Sequence, residues 1–150
     1  MHRVLFVSLF LVAASPLAAQ TTCAGMRNLA FGPVVRGVQA TVVPTDPIKS
    51  GRFYIRYILN RNVRVQFTLP TRLTRTGGGN LPITFTTTSA VAQGTATPSV
   101  PVTFDPNTAI TFSLVTSADF YINLGGRVTP AANQAMGNYT ANITLTCTFM

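Results

Sequence analysis

Apolar and polar side chains alternate with a period of two along much of the chain. The longest alternating runs are Phe53–Leu59, Val63–Leu69 and Tyr139–Phe149. This period is typical of strands that bury one side and expose the other. Pro70 ends the second run, because proline cannot donate a hydrogen bond to a sheet. The polar segment Asn60–Asn62 predicts a turn, so we expect the first two runs to pair as a two-stranded unit.

Shorter alternating runs follow in the second half of the chain. The glycine-rich segment Thr76–Asn80 precedes the first of them, and the turn signal Asp105–Asn107 separates the second run from the third. The runs themselves are Leu81–Phe85, Val100–Phe104, Ile110–Leu114 and Phe120–Leu124. About seven or eight short strands separated by frequent turns favour an all-β sandwich. A closed barrel is the alternative, but strands of such uneven length favour two stacked sheets.

The composition is that of a single all-β domain rather than a helical or disordered chain. Of the 150 residues, 47% are hydrophobic and only 9% are charged; glutamate is absent, and Lys49 is the only lysine. Disordered tails combine low hydrophobicity with high charge, so that class is excluded. Helix formers are scarce and strand formers abundant, which agrees with the alternation.

The first 19 residues have the three-part layout of a secretory signal peptide. A short basic start at Arg3 is followed by an apolar run and then by small residues up to Ala19. No later stretch reaches the roughly 18 apolar residues of a transmembrane helix. We therefore expect cleavage before Gln20, export, and one folded domain over residues 20–150, in the periplasm or outside the cell.

Export bears on the two cysteines, Cys23 and Cys147, which lie near the two ends of the expected mature chain. In an oxidising compartment they are expected to form one disulfide that ties these ends together. The alternative is a pair of free thiols, which does not fit an exported protein.

Candidate catalytic chemistry is nearly absent from residues 20–150. Loss of the signal peptide leaves no histidine and no glutamate, so neither a Ser-His-Asp triad nor a pair of catalytic glutamates can form. The acidic side chains are Asp46, Asp105 and Asp119, each in a predicted turn. We therefore expect no enzyme activity, no cofactor and no metal site.

Arginine is the unusual feature of the charge pattern. Eleven Lys and Arg residues face three Asp and Glu residues in the full chain, and six arginines lie close together in sequence. These six are Arg52, Arg56, Arg61, Arg64, Arg72 and Arg75. If the first two runs paired, several guanidinium groups would share one exposed face, which could bind an acidic polysaccharide or a phosphate-bearing surface. The alternative is that they are ordinary outward positions. Nucleic acid is not expected, because no binding motif accompanies the charge.

Three segments near the two ends of the chain carry recognisable motifs: Leu29–Gly32 shortly after the first cysteine, the Gly-Gly turn within Asn123–Val128, and Gly137–Phe149. In this order they resemble the archaic chaperone–usher pilins, the spore coat protein U group and related bacterial pilin-like domains. The last segment has a Gly-x-Tyr start and an alternating strand that runs to the C-terminus, as in that family.

The resemblance implies an immunoglobulin-like sandwich that lacks its last strand. In that family a periplasmic chaperone, and then a neighbouring pilin-like subunit delivered by an outer-membrane usher, supplies the strand by donor-strand complementation. Ile143, Leu145 and Phe149 would then line the acceptor groove. The function implied is that of a structural subunit of a bacterial surface fibre (a pilus or fimbria).

The chain departs from the family before Cys23. Polymerising subunits carry a long alternating donor stretch there, whereas only Gln20–Thr22 follows the expected cleavage site. This leaves a tip or terminating subunit, or a self-complete secreted sandwich. The second alternative is a binding module for an acidic surface polymer through its arginine-rich face.

Overall fold

The computed structural model describes residues 22–56, 60–94, 100–114 and 119–150. The expected signal peptide and its cleavage site lie outside the described residues. All the regular secondary structure in the described part consists of β-strands, so the prediction of an all-β fold is confirmed. Within these residues, no helix has the length and hydrophobicity needed to cross a membrane.

The described part contains thirteen strands, more than the seven or eight predicted, because several segments of two or three residues also join sheets. The first seven are β1 (Thr22–Arg27), β2 (Ala40–Val42), β3 (Gly51–Arg56), β4 (Arg61–Thr68), β5 (Arg72–Arg75), β6 (Asn80–Thr84) and β7 (Ala90–Gly94). The remaining six are β8 (Val102–Phe104), β9 (Ile110–Leu114), β10 (Asp119–Leu124), β11 (Gly126–Val128), β12 (Tyr139–Thr140) and β13 (Thr144–Phe149).

The strands form three antiparallel sheets. Sheet 1 has the order β1-β3-β10-β7-β8, sheet 2 the order β13-β4-β9, and sheet 3 the order β12-β5-β6-β11-β2. In the described part, β1, β13 and β12 each lie at an edge, with a pairing partner on one side only. A free edge offers backbone N–H and C=O groups for pairing with another strand.

The main core lies between sheets 1 and 2, which therefore stack as a sandwich. Every second side chain of β10, from Phe120 through Ile122 to Leu124, is fully buried there. The facing side chains of sheet 2 come from β4 and β9: Val63, Val65, Phe67, Phe112 and Leu114. The alternation read from the sequence is thus the alternation of buried and exposed positions.

A second, smaller apolar cluster lies on sheet 3. Its buried members are Leu81, Ile83 and Val128, and the partly buried Leu29 and Phe31 pack against it. Residues 28–39 form a loop rather than a strand, and the loop is held by this packing and by backbone hydrogen bonds from Ala30 N–H to the carbonyl oxygen of Lys49 at 2.9 Å and from Gly37 N–H to that of Ala131 at 3.2 Å. The Leu29–Gly32 segment therefore connects sheet 1 to sheet 3.

The predicted pairing of the first two alternating runs is wrong. β3 pairs with β1 and β10 in sheet 1, whereas β4 pairs with β13 and β9 in sheet 2. The chain thus passes from one layer of the sandwich to the other between β3 and β4. Both runs are half-buried strands as predicted, but they face each other across the core.

Gly125, between β10 and β11, is packed so closely that no side chain fits. A Cβ atom at this position would meet the carbonyl oxygen of Val42 and would lie 2.8 Å from the backbone nitrogen of Pro44. Backbone atoms cannot move aside without shifting the strand that carries them. The Gly-Gly turn noted in the sequence therefore has a steric cause.

We expect Gly125→Ala to lower the free energy of unfolding by about 1–3 kcal/mol, the usual effect of overpacking. The matched control is Gly25→Ala, because the nearest atom to its added Cβ is Phe53 Cε1 at 4.0 Å. Urea denaturation of both variants measures the difference. Equal stabilities of the two variants would contradict this account of the turn.

Candidate functional site

A groove of about 1200 Å³ lies in the described part of the protein. One wall is the chain from Gly25 to Arg36, which continues from edge strand β1. The other wall is residues 134–143, which contain edge strand β12 and lead into β13. The groove thus lies between two sheet edges that do not pair with each other.

The floor of the groove is apolar. Leu124 is fully buried beneath it, and Met136 at its rim is 74% exposed. The floor side chains are Phe53, Pro70, Leu73, Leu81, Ile83 and Leu124. Phe53, Leu81, Ile83 and Leu124 are themselves buried, so the hydrophobic surface that the groove offers to water comes from partly buried side chains such as Leu73 and from the exposed Met136. An exposed apolar patch is a common mark of a binding surface.

Arg27 fixes the first wall to the loop before β3. Its guanidinium donates hydrogen bonds to the carbonyl oxygen of Ser50 at 2.7 Å, to Ser50 Oγ at 2.8 Å and to the carbonyl oxygen of Pro47. The loop is itself ordered by Asp46, whose carboxylate accepts hydrogen bonds from the backbone N–H groups of Lys49 and Ile48. These two bonds lower the pKa of Asp46, because they favour the ionised form.

Arg75 and Tyr139 fix the second wall to sheet 3. Arg75 donates to the carbonyl oxygens of Gly78 at 2.8 Å and Met136 at 3.0 Å. The Tyr139 hydroxyl donates to the carbonyl oxygen of Ala135 at 2.8 Å. Gly137 has a φ of 142° and lies against the Arg75 side chain, where a Cβ would collide with Cδ. The Gly-x-Tyr motif is therefore a turn that brings this wall to its place.

No protein-family model, no curated protein and no solved structure matches this chain. The assignment of a function therefore rests on the groove and on the chemistry around it.

The three predicted groove residues divide into two groups. Ile143 is among the residues that line the groove. Leu145 and Phe149 lie on the same side of β13 but are partly buried against the main core, outside the residues that line the groove. The apolar floor residues of sheet 3 were missed, because alternation shows that a side is buried without showing what covers it.

The predicted disulfide between Cys23 and Cys147 is present. It connects β1 to β13, and therefore joins the edges of sheets 1 and 2, with 6.3 Å between the two Cα atoms. A structural disulfide is consistent with an oxidising compartment such as the periplasm or the cell exterior.

The expectation that the arginines share one sheet face is wrong, because β3 and β4 belong to different layers. The six residues fall on three sheets: Arg52 and Arg56 on sheet 1, Arg61 and Arg64 on sheet 2, and Arg72 and Arg75 on sheet 3. Arg75 is occupied in holding the groove wall. The side chain of Arg61 lies outside the described part. Whether any of them binds an anion stays a prediction.

Sheet 1 keeps a small cluster of charged and aromatic side chains on its outer side. The Arg52 guanidinium lies 4.1 Å from the centre of the Tyr121 ring, and Arg56 Nε lies 4.0 Å from Asp119 Oδ1. The Tyr54 hydroxyl donates to Asp119 Oδ1 at 2.6 Å. This hydrogen bond, with a smaller contribution from desolvation, raises the pKa of Tyr54 above its usual value of 10.0.

We expect the Tyr54 phenol to stay protonated beyond pH 10.0 and Asp119→Asn to lower its pKa. The folded pKa is raised, so this contact stabilises the fold below pH 10.0, and its contribution is lost as the pH rises further. An ultraviolet titration measures this, with the curve of Tyr54→Phe subtracted to isolate one phenol. An unchanged titration in Asp119→Asn would show that the hydrogen bond does not control this group.

Proposed function

We propose that this protein is an exported structural subunit of a bacterial surface fibre that accepts an extended strand from a neighbouring subunit in its groove. The observation that carries the proposal is an apolar channel whose two walls are continuous with unpaired sheet edges. The same groove would first hold a strand of a periplasmic chaperone, before an outer-membrane usher exchanges it for that of a subunit.

Backbone pairing supports a strand as the occupant. β12 pairs with β5 on one side, and β1 pairs with β3 on one side; among the described residues neither has a second partner. A strand laid between the walls would satisfy their free N–H and C=O groups, while its alternate side chains fill the apolar floor. A globular ligand or a small molecule would leave those backbone groups unpaired.

The charged side chains around the groove restrict which donor strands it can bind. Arg27 and Arg36 are among the residues that line the groove, and none of the lining residues is Asp or Glu. A lysine or arginine in the donor would therefore be repelled, whereas a carboxylate at its solvent-facing positions would be attracted. We expect a donor strand that alternates apolar and small polar residues and carries acidic rather than basic charge.

The test is the binding of a peptide that alternates valine and threonine and ends in aspartate. At about a hundredfold excess over its Kd, a ligand of the folded state adds about 2.7 kcal/mol to the free energy of unfolding. We expect such a gain with the alternating peptide and none with a peptide of the same composition whose valines are grouped at one end. Equal effects of the two peptides, or none from either, would overturn the proposal.

Two neighbouring valines supply a matched pair of variants. Val34 lines the groove, whereas Val35 is 67% exposed and is not among the lining residues. Val34→Arg places a charge in the channel and should abolish peptide binding, while Val35→Arg should leave it unchanged. Loss of binding in both variants would mean that general charge, rather than the groove, controls the interaction.

A further inference from the structure

The disulfide connects β1, which leads into the first wall of the groove, to β13, which follows the second wall. Cys23 lies in β1 and Cys147 in β13, and their Cα atoms are 6.3 Å apart. Cys23 Sγ also lies 4.0 Å from the carbonyl oxygen of Leu145, so the outer edge of β13 faces β1 directly. At this level the two edges touch through the bridge and no channel separates them.

A strand cannot be inserted between two edges held this close. Neighbouring strands lie about 4.8 Å apart, so a strand between two others holds them roughly 9–10 Å apart. A disulfide spans at most about 6.8 Å between Cα atoms. The covalent bridge therefore keeps β1 and β13 too close for a donor, and thermal opening cannot make room while the bond is intact.

The residues that line the groove stop short of the disulfide. They include Gly25 on one wall and Ile143 on the other, but neither cysteine nor Leu145. The part of the second wall from Gly137 to Ile143 is seven residues long, which is roughly 23 Å of extended chain. This length accommodates three or four inward side chains of a donor.

We propose that the Cys23–Cys147 bridge is a stop that limits the donor to a short strand of about seven residues, paired along residues 137–143 and ending below β13. The inference rests on the proposed function, because it specifies the length and register of the strand that the groove accepts. The partner is an extended segment of another polypeptide with alternating apolar residues and no basic charge. β13 keeps its outer edge covered by the bridge and by β1 rather than by the donor.

The experiment is hydrogen exchange on the disulfide-bonded protein with two alternating Val-Thr peptides, one of about seven residues and one about twice as long. We expect both to slow exchange at residues 138–143 and neither to slow it further within β13. Their Kd values should agree within about twofold, although each added ladder bond in an open groove would tighten binding severalfold.

The outcomes separate this inference from the function on which it rests. Tighter binding of the longer peptide, with new protection at Thr144–Phe149, would overturn the stop and leave strand acceptance intact. Absence of binding by both peptides would overturn the proposed function itself.

Removal of the disulfide bridge tests the same inference from the opposite side. In the double variant Cys23→Ser/Cys147→Ser the edges can separate, so the longer peptide should bind at least about tenfold more tightly than the shorter one. An equal Kd for both peptides in a folded double variant would show that the bridge is not the limit. If that variant does not fold, the length series on the bridged protein still decides the question.

Discussion

Replacing both cysteines with serine is expected to lower the free energy of unfolding by about 4–5 kcal/mol. Cys23 and Cys147 are 124 residues apart, so the bridge closes a loop that contains nearly all of the described chain. In the chain-entropy account the gain grows with the logarithm of loop length, because the unfolded chain loses more freedom when distant residues are tied. The bridge also joins sheets 1 and 2 at edges that have no backbone pairing to each other.

Urea denaturation of the disulfide-bonded protein measures this loss. Reductant added to the disulfide-bonded protein should reproduce the loss, and reductant added to the double serine variant should change nothing. A loss below about 1 kcal/mol would contradict the account, since it would mean that core packing alone holds the two edges together.

Ile122→Ala should be among the most damaging truncations of an isoleucine in the described part, at about 2–5 kcal/mol. Ile122 is fully buried in the middle of β10, the central strand of sheet 1. Its removal leaves a cavity between the two layers, because the neighbouring Phe53 and Ala92 belong to strands paired with β10 on both sides. Backbone pairing on both sides limits how far the layers can collapse into the space.

The matched control is Ile48→Ala, because Ile48 is 78% exposed in the loop before β3. We expect it to change stability by no more than about 0.5 kcal/mol. Thermal and urea denaturation of the two variants give the comparison. A similar loss in both would mean that burial in this sandwich does not determine the cost of removing an apolar side chain.

The sequence predicts individual strands better than it predicts their partners. Half-buried strands such as β4 and β10 can be recognised in the sequence by their alternation, because one side of each contacts the core and the other contacts water. β7 was missed, since Ala90 and Ala92 are fully buried but too small to give an apolar signal. Its environment is set by the large side chains of β10, which are distant in sequence.

Which strands pair depends on the three-dimensional arrangement of the chain, and a sequence period of two carries no information about that arrangement. The runs that form β3 and β4 are adjacent in sequence and share the pattern of a hairpin, yet they lie in opposite layers. Each finds its partners in segments distant in sequence, as in the register of Ile55 with Phe120. The shared arginine face depended on the wrong pairing and was lost with it.

The sequence did not locate the groove. The resemblance implied a channel beside the final alternating run, and the groove of the structure is lined by residues 134–143, which include the start of that run. The end of the run, in β13, is joined to β1 by the disulfide, which the sequence predicted correctly. That the bridge holds β13 against β1 follows only from the positions of the two strands in three dimensions.

The central claim is that the groove accepts an extended strand from another polypeptide. The most direct measurement is a crystal structure of the disulfide-bonded protein with the alternating peptide of about seven residues. The account predicts that the peptide lies between the two walls, is paired with the backbone of residues 137–143 and has its inward side chains on Leu73 and Ile83. A peptide bound on an outer sheet face, or a groove filled by the protein's own chain, would contradict it.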